Sequence, residues 1–341
     1  MGAKGPDRTS RATAVRLVAA WIGVLGLSLP AAACVGGDAP GRQQVGHSGD
    51  RRQERQREAG LPEADHPETA NAEARHADGQ PTSRMPEKGG VREAASYPVG
   101  LRILHLMRAG RPLTTLVFYP AARPTAGHGG GRSGRAKTQR VPAAGRFPLV
   151  LFSHGLRSSP ERFAAALSSW AAAGFVVAAP TYPHTSEFAP RFDRGDIVRQ
   201  PDDARHVLRE VLRLDVDRRD ALSGHIDTER IAALGHSAGG YTTSGLFVAG
   251  HDPRLRAGVI LAGWAAPGAF AGPPATMLFI QGKADPVVPV KVSRAAYDRV
   301  PWPKSYILMR RDSHGTYLRP GDRGYAAMLA TTTDFLRGTL G

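Results

Sequence analysis

Residues 231–240, Ile-Ala-Ala-Leu-Gly-His-Ser-Ala-Gly-Gly, constrain this chain more than any other stretch. The apolar run 231–234 predicts a short buried strand. It leads directly into Gly235-x-Ser237-x-Gly239, and 241–250, with Leu246 and Ala249, reads as a helix. Strand, tight Gly-x-Ser-x-Gly turn and helix together make the setting of a nucleophile elbow. The turn forces the Ser into a strained backbone conformation, and flanking Gly residues let strand and helix approach without a Cβ clash. The hydroxyl then stands at the top of a sheet and at a helix N-terminus, where developing negative charge is tolerated. The alternative is an ordinary strand-to-helix turn, since a chain with 40 glycines can produce this spacing by chance.

The N-terminal third has a different character. Lys4, Arg8, Arg11 and Arg16 precede an apolar stretch at 17–29, followed by Pro30-Ala-Ala-Ala33 and Cys34. A basic segment, a short apolar segment and small residues before a cleavage point describe a secretory signal over 1–33. The apolar segment is too short to span a bilayer comfortably. Cys34 is the only cysteine, so no intramolecular disulfide can form. Its place after three alanines resembles a bacterial lipoprotein signal, which implies lipidation at Cys34 and a membrane tether. The other reading is cleavage after Ala33, leaving a free thiol. Both imply export, to the cell surface or into the medium. Residues 34–96 have almost no large apolar side chains and cannot offset the entropy of ordering, so they read as a disordered tether. The net charge of +15 is scattered through this tether, the 121–146 segment and helix faces. Scattered charge on an exported chain argues against a nucleic-acid partner, although attraction to anionic surfaces or acidic substrates is compatible with it.

From Tyr97 onward the pattern is that of a folded domain, 97–341. Runs 101–107 and 113–119 flank Arg108-Ala-Gly-Arg-Pro112 and predict an antiparallel hairpin at one edge of a sheet. Residues 121–146 read as a Gly-, Arg- and Pro-rich surface excursion. Continuous apolar runs at 148–152, 175–179, 231–234, 258–262 and 276–280, with 306–309, predict parallel strands. Helices are expected at 161–173, 202–213, 292–300 and 325–336, with Trp170 in the core. Strands alternating with helices mean a mostly parallel sheet covered on both faces. This arrangement, with its Gly-x-Ser-x-Gly turn, resembles the α/β-hydrolase fold, whose catalytic groups follow the order Ser, Asp or Glu, His.

The resemblance assigns roles residue by residue. His314, in Arg311-Asp-Ser-His-Gly315, follows the last strand, where that fold places its base. Asp285, in Gly282-Lys-Ala-Asp-Pro-Val-Val-Pro289, follows a strand, where the fold places its acid. A triad of Ser237, Asp285 and His314 is therefore expected, with Asp312 as a more local alternative for the acid. His236 is expected to point away from the Ser and pack locally, and His154 to shape the first loop. The oxyanion needs two backbone donors; these are expected from Ala238 and Leu156, with Gly155 as the alternative to Leu156. His184 and Trp264 are candidates for lining the cleft, with packing the competing reading for Trp264.

Within the superfamily, 147–155, 174–180, 235–240 and 285–290 resemble dienelactone-hydrolase-like serine esterases, platelet-activating-factor acetylhydrolases and the bacterial cutinase and polyesterase group. Ser237 stands where true dienelactone hydrolases have Cys, and a single Cys cannot make the C-terminal disulfide typical of the polyesterases. The absence of a helical insertion between 258 and 276 implies no large cap domain. The resemblance implies hydrolysis of carboxylic esters, whether small-molecule, lipid or polymer, through an acyl-enzyme and without a metal or organic cofactor. No His-Glu-x-x-His spacing or phosphate loop competes with this reading. A serine peptidase or amidase on the same fold, and a catalytically inactive surface-binding module, are the other readings.

Overall fold

The computed structural model describes residues 96–123, 137–138 and 140–341. The chain divides into two units, Met1–Thr82 and Ser83–Gly341, and the described residues all belong to the second. The expected signal, Cys34, the tether up to residue 95 and most of the 121–146 excursion lie outside them.

Nine strands are found among the described residues: β1 (Val99–Arg108), β2 (Arg111–Pro120), β3 (Lys137–Thr138), β4 (Phe147–Ser153), β5 (Val176–Pro180), β6 (Ile226–His236), β7 (Leu255–Leu261), β8 (Thr276–Gly282) and β9 (Lys304–Met309). They form one sheet in the order β3-β1-β2-β5-β4-β6-β7-β8-β9. β5 through β9 of that order are parallel throughout, while β1–β2 and β2–β5 are antiparallel. The expected hairpin is therefore present near one edge. The outermost strand there is the two-residue β3, which sequence patterning had assigned to a surface excursion. β3 pairs with Gly100 and Leu101.

Five α-helices accompany the sheet among the described residues: α1 (Ala164–Ala172), α2 (Gln200–Leu214), α3 (Ala238–Ser244), α4 (Val290–Asp298) and α5 (Tyr325–Leu340). Side chains alternate across a strand with a period of two, and the central segments of β4 to β8 carry apolar residues at successive positions, so they feed two cores. Leu149, Leu151, Ile231, Ala233, Met277 and Phe279 join the core that also contains Val207, Leu208 and Val211 of α2 and Ala296 of α4. Val150, Phe152, Ala232, Leu234, Leu278 and Ile280 join the other, with Leu167 and Trp170 of α1 and Met328 and Leu336 of α5. Burying an aliphatic side chain of this size is worth about 1.5–3 kcal/mol, which favours apolar residues on both faces of these segments. The chain thus has the α/β-hydrolase architecture.

Two sequence expectations shift. The helix after Ser237 begins at Ala238 and ends at Ser244 instead of running over 241–250. At Gly245, a Cβ would meet the Pro201 ring at 2.6 Å, so the end of this helix lies closely against the start of α2. The helix expected at 161–173 begins as a 3₁₀ turn at Pro160–Phe163 before α1. Pro160 has no N–H to donate, which suits a helix start.

The sheet's antiparallel side is tied to α2 by a buried ion cluster. Arg111, in β2, donates to both oxygens of Asp196 (2.8 and 2.6 Å) and of Asp203 (3.0 to Oδ1, 2.7 to Oδ2). Arg108 donates to Asp203 as well (2.8 Å). The hydrogen bonds to Asp196 and Asp203 hold the Arg111 guanidinium above its ordinary pKa, against the opposing effect of burial. A buried group of this kind is costly to leave half-paired. Arg111→Ala should therefore lower stability by about 3–5 kcal/mol in urea unfolding. Adding Asp203→Asn should recover part of that loss, because one uncompensated carboxylate is removed.

Candidate active site

Because β4, β6, β8 and β9 are parallel, their C-terminal ends lie along one side of the sheet, and the loops leaving them meet there. β4 ends in Ser153 and is followed by His154-Gly155-Leu156. β6 ends in His236, directly before Ser237. β8 ends in Gly282, three residues before Asp285, and β9 ends in Met309, five residues before His314.

Ser237 sits at φ +56°, ψ −120°, between β6 and α3. A non-glycine residue in that region stores about 1–3 kcal/mol of strain. Its backbone is held on both sides: Ser237 N–H donates to Leu261 O (2.9 Å), and Ser237 O accepts from the N–H groups of Gly240 (2.8 Å) and Tyr241 (3.3 Å). The two flanking glycines are obligatory here. A Cβ on Gly235 would lie 2.0 Å from Gly239 O, and one on Gly239 would lie 1.9 Å from Ser153 O.

Asp285 is buried, with its carboxylate fully engaged. Oδ1 accepts from the N–H groups of Val287 (2.8 Å) and Val288 (2.9 Å). Oδ2 accepts from Gln281 Nε2 (2.8 Å) and from His314 Nδ1 (2.8 Å). A carboxylate acceptor at Nδ1 requires the ring proton there, leaving Nε2 of His314 as the basic nitrogen. Asp312 is buried separately, accepting from Thr316 Oγ1 (3.2 Å), and makes no hydrogen bond to His314. The acid loop and the His loop are joined by main-chain bonds from Lys283 to Met309 O and from Ala284 to Asp312 O, both 3.0 Å.

Ser237 and His314 line one recess of about 150 Å³, together with Gly155 and Leu156, although no hydrogen bond joins Ser237 to His314 in this structure. Such bonds often form only when substrate is bound. The N–H groups of Leu156 and Ala238 meet no acceptor among the described residues. The loop that carries Leu156 is clamped from outside: Arg157 N–H donates to Thr185 O (2.7 Å) and Glu187 N–H to Ser158 O (3.0 Å). Glu187 also accepts from Ser159 Oγ (2.6 Å) and Arg162 Nε (2.8 Å).

Two sequence expectations, for His236 and His184, need correction, and for Trp264 the packing reading holds. His236 does not point away from the nucleophile; it lines the same recess, with its ring centroid 4.8 Å from that of His314. The strained turn at Ser237 brings the preceding side chain to the same opening. His184 and Trp264 are absent from that lining. Trp264 packs against Tyr241 (centroids 5.9 Å apart), and His184 is exposed on the 181–193 loop. The residue that sequence reasoning missed is Gln281. A single amide inside the apolar run of β8 was its signal: fully buried, it spans Asp285 Oδ2 and Val288 O (3.0 Å). His154 does shape its loop: Nδ1 lies 2.8 Å from Gly155 O, and Nε2 accepts from Tyr182 N–H (3.2 Å).

Both buried imidazoles are held neutral. Burial pushes His154 down to about 4. Burial, with the charges of His314 and Arg319, pushes His236 down to about 3. The unfolded chain takes up these protons below about pH 6.5, whereas the folded chain does so only near 4 and 3. Their contribution is therefore fully present above about 6.5 and is lost as pH falls towards 4. The urea midpoint should drop over that window. His236→Phe, which removes one of the two titrations, should make the decline shallower.

No curated protein matches the chain. A match to a known family does exist: residues 115–323 fit the family described as PET hydrolase-like. That span starts within β2, contains β4 to β9, and includes Ser237, Asp285 and His314. With well over half of its length matched, and with an elbow serine above a mostly parallel sheet, this chain belongs to the PET hydrolase-like family of α/β-hydrolase serine esterases.

Proposed function

We propose that this protein is an exported carboxylic-ester hydrolase in which Ser237 is the nucleophile, His314 the general base and acid, and Asp285 the orienting acid. The observation that carries the reading is the 2.8 Å bond from His314 Nδ1 to Asp285 Oδ2, with His314 and the strained Ser237 on one recess. His314 Nε2 takes the Ser237 Oγ proton as Oγ bonds to the ester carbonyl carbon. Negative charge moves to the carbonyl oxygen, facing the N–H groups of Leu156 and Ala238. The tetrahedral centre collapses, the ester C–O bond breaks, and His314 delivers the proton to the departing alcohol. Water then attacks the acyl-enzyme and gives its proton to His314; the Ser237 Oγ–acyl bond breaks, Ser237 recovers the proton, and the acid is released. Asp285 stays ionised and stabilises the imidazolium. Gln281 and the Val287 and Val288 N–H groups hold its carboxylate in place. Substrates are small-molecule or polymeric esters.

In the same proposal the enzyme works outside the cytoplasm, tethered through a lipidated Cys34. Support comes from the basic start, the apolar 17–29 stretch and the three alanines before Cys34.

Two experiments test the proposal. The full chain should hydrolyse a 4-nitrophenyl ester series from acetate to palmitate, and Ser237→Ala should lower kcat by about 10⁴-fold or more, since the elements of a triad act as a unit. Equal activity in the two proteins sinks the assignment of Ser237. In a lipoprotein-processing bacterial host, the wild type should fractionate with membranes and Cys34→Ser should not. A wild type found free in the medium rules out the tether.

A further inference from the structure

Resting on the ester-hydrolase reading, we infer that this site selects esters that also carry a carboxylate, close to the bond that is cut. The recess containing Ser237 and His314 is also lined by Arg162 and Arg319, and no Asp or Glu lines it. The two cations are not equivalent. Arg162 is paired with Glu187, which holds its guanidinium at the edge of the oxyanion loop (Nε to Oε2 2.8 Å). Arg319 makes no ion pair through its guanidinium with any carboxylate among the described residues. Asp322, the nearest acid in its loop, accepts instead from the Arg319 backbone N–H (2.9 Å). Asp285 is buried against His314, and Asp312 is buried against Thr316. The wall of the recess therefore carries one uncompensated positive charge. Its influence reaches the neighbouring ring, where it is one of the causes that keep His236 neutral.

A guanidinium binds a carboxylate through two parallel hydrogen bonds, with more geometric selectivity than a point charge offers. At about 150 Å³ the recess has room for a short acyl or alkyl segment between the serine and its walls. A substrate reaching Arg319 from the scissile carbonyl must do so across a few carbons. Half-esters of short dicarboxylic acids and carboxylate-ended oligoesters fit this description. Each hydrolytic cut within a polyester leaves such an end, so an ester hydrolase that cuts mid-chain is the class of reaction that supplies this substrate.

Two matched pairs test the inference with the full chain: monoethyl adipate against ethyl hexanoate, and 4-acetoxybenzoate against its methyl ester. The expected result is a kcat/KM about tenfold higher for the anionic member of at least one pair. That ratio should collapse in Arg319→Glu and, independently of any variant, in wild type at 1 M NaCl, where screening is nearly complete beyond about 3 Å. A ratio at or below one in both pairs, or one unmoved by salt or by Arg319→Glu, overturns the inference while leaving the ester reading intact, provided the neutral members are turned over in a Ser237-dependent way. Failure to hydrolyse either member of either pair overturns both.

Discussion

The rest of the site depends on one steric condition, the contact between the backbone of Gly239 and the backbone of Ser153. It brings the start of α3 against the end of β4 at a distance that no side chain could occupy. Only under that condition can the chain reverse between β6 and α3 within a single residue, and only then does Ser237 adopt its left-handed backbone. The strain is offset locally by the bonds from Ser237 N–H to Leu261 O and from Gly240 N–H to Ser237 O. The same contact sets the neighbours. β4 continues directly into the Gly155–Leu156 backbone, so the serine and the two unpaired N–H groups near it are referred to one strand end.

Around this point the supports are buried polar groups rather than further apolar packing. Gln200 is fully buried, donating to Thr185 Oγ1 (2.6 Å) and accepting from Thr242 Oγ1 (2.6 Å). Thr242 belongs to α3, and Thr185 to the segment that clamps the oxyanion loop. The Arg111 cluster fixes Asp196 and Asp203 on either side of Gln200 in the chain. Gln281 does the equivalent for Asp285 on the other side of the sheet's centre. For the Gln200 amide and the Arg111 cluster the alternative, an unpaired buried polar atom, is expensive, so each specifies one arrangement rather than several; Gln281 is held through its amide NH2 alone, and its buried Oε1 meets no partner among the described residues.

Much of this was legible in the sequence, for a physical reason. Strand segments buried on both faces favour apolar residues at successive positions, so the cores of β4, β5, β6, β7 and β8 stood out as continuous runs. Catalytic loops must leave the C-terminal ends of parallel strands, so Asp285 and His314 could be located by position after a run. What could not be read depends on where side chains turn once the backbone is set. His236 faces the recess because the strained turn rotates it there. Trp264 finds Tyr241. β3 is only two residues long and has no periodicity to detect. The end of α3 lies against Pro201 of α2 at Gly245, a tertiary contact without local signature. Gln281 left a trace, one amide in an apolar run, but its partner lies four residues away around a turn.

The main-chain bonds from Lys283 to Met309 and from Ala284 to Asp312 have a consequence beyond holding two loops together. A Cβ at Gly282 would lie 2.4 Å from Ser313 O, so the seam between these loops is closed at the level of the backbone. The spacing of acid and base is thereby insulated from whatever side chains decorate the rim. An exposed rim residue such as Arg319 can be exchanged by mutation while the Asp285–His314 distance stays put. A descendant of this protein could drift to a new substrate through rim substitutions alone, with the proton-transfer machinery carried along as an inherited constant.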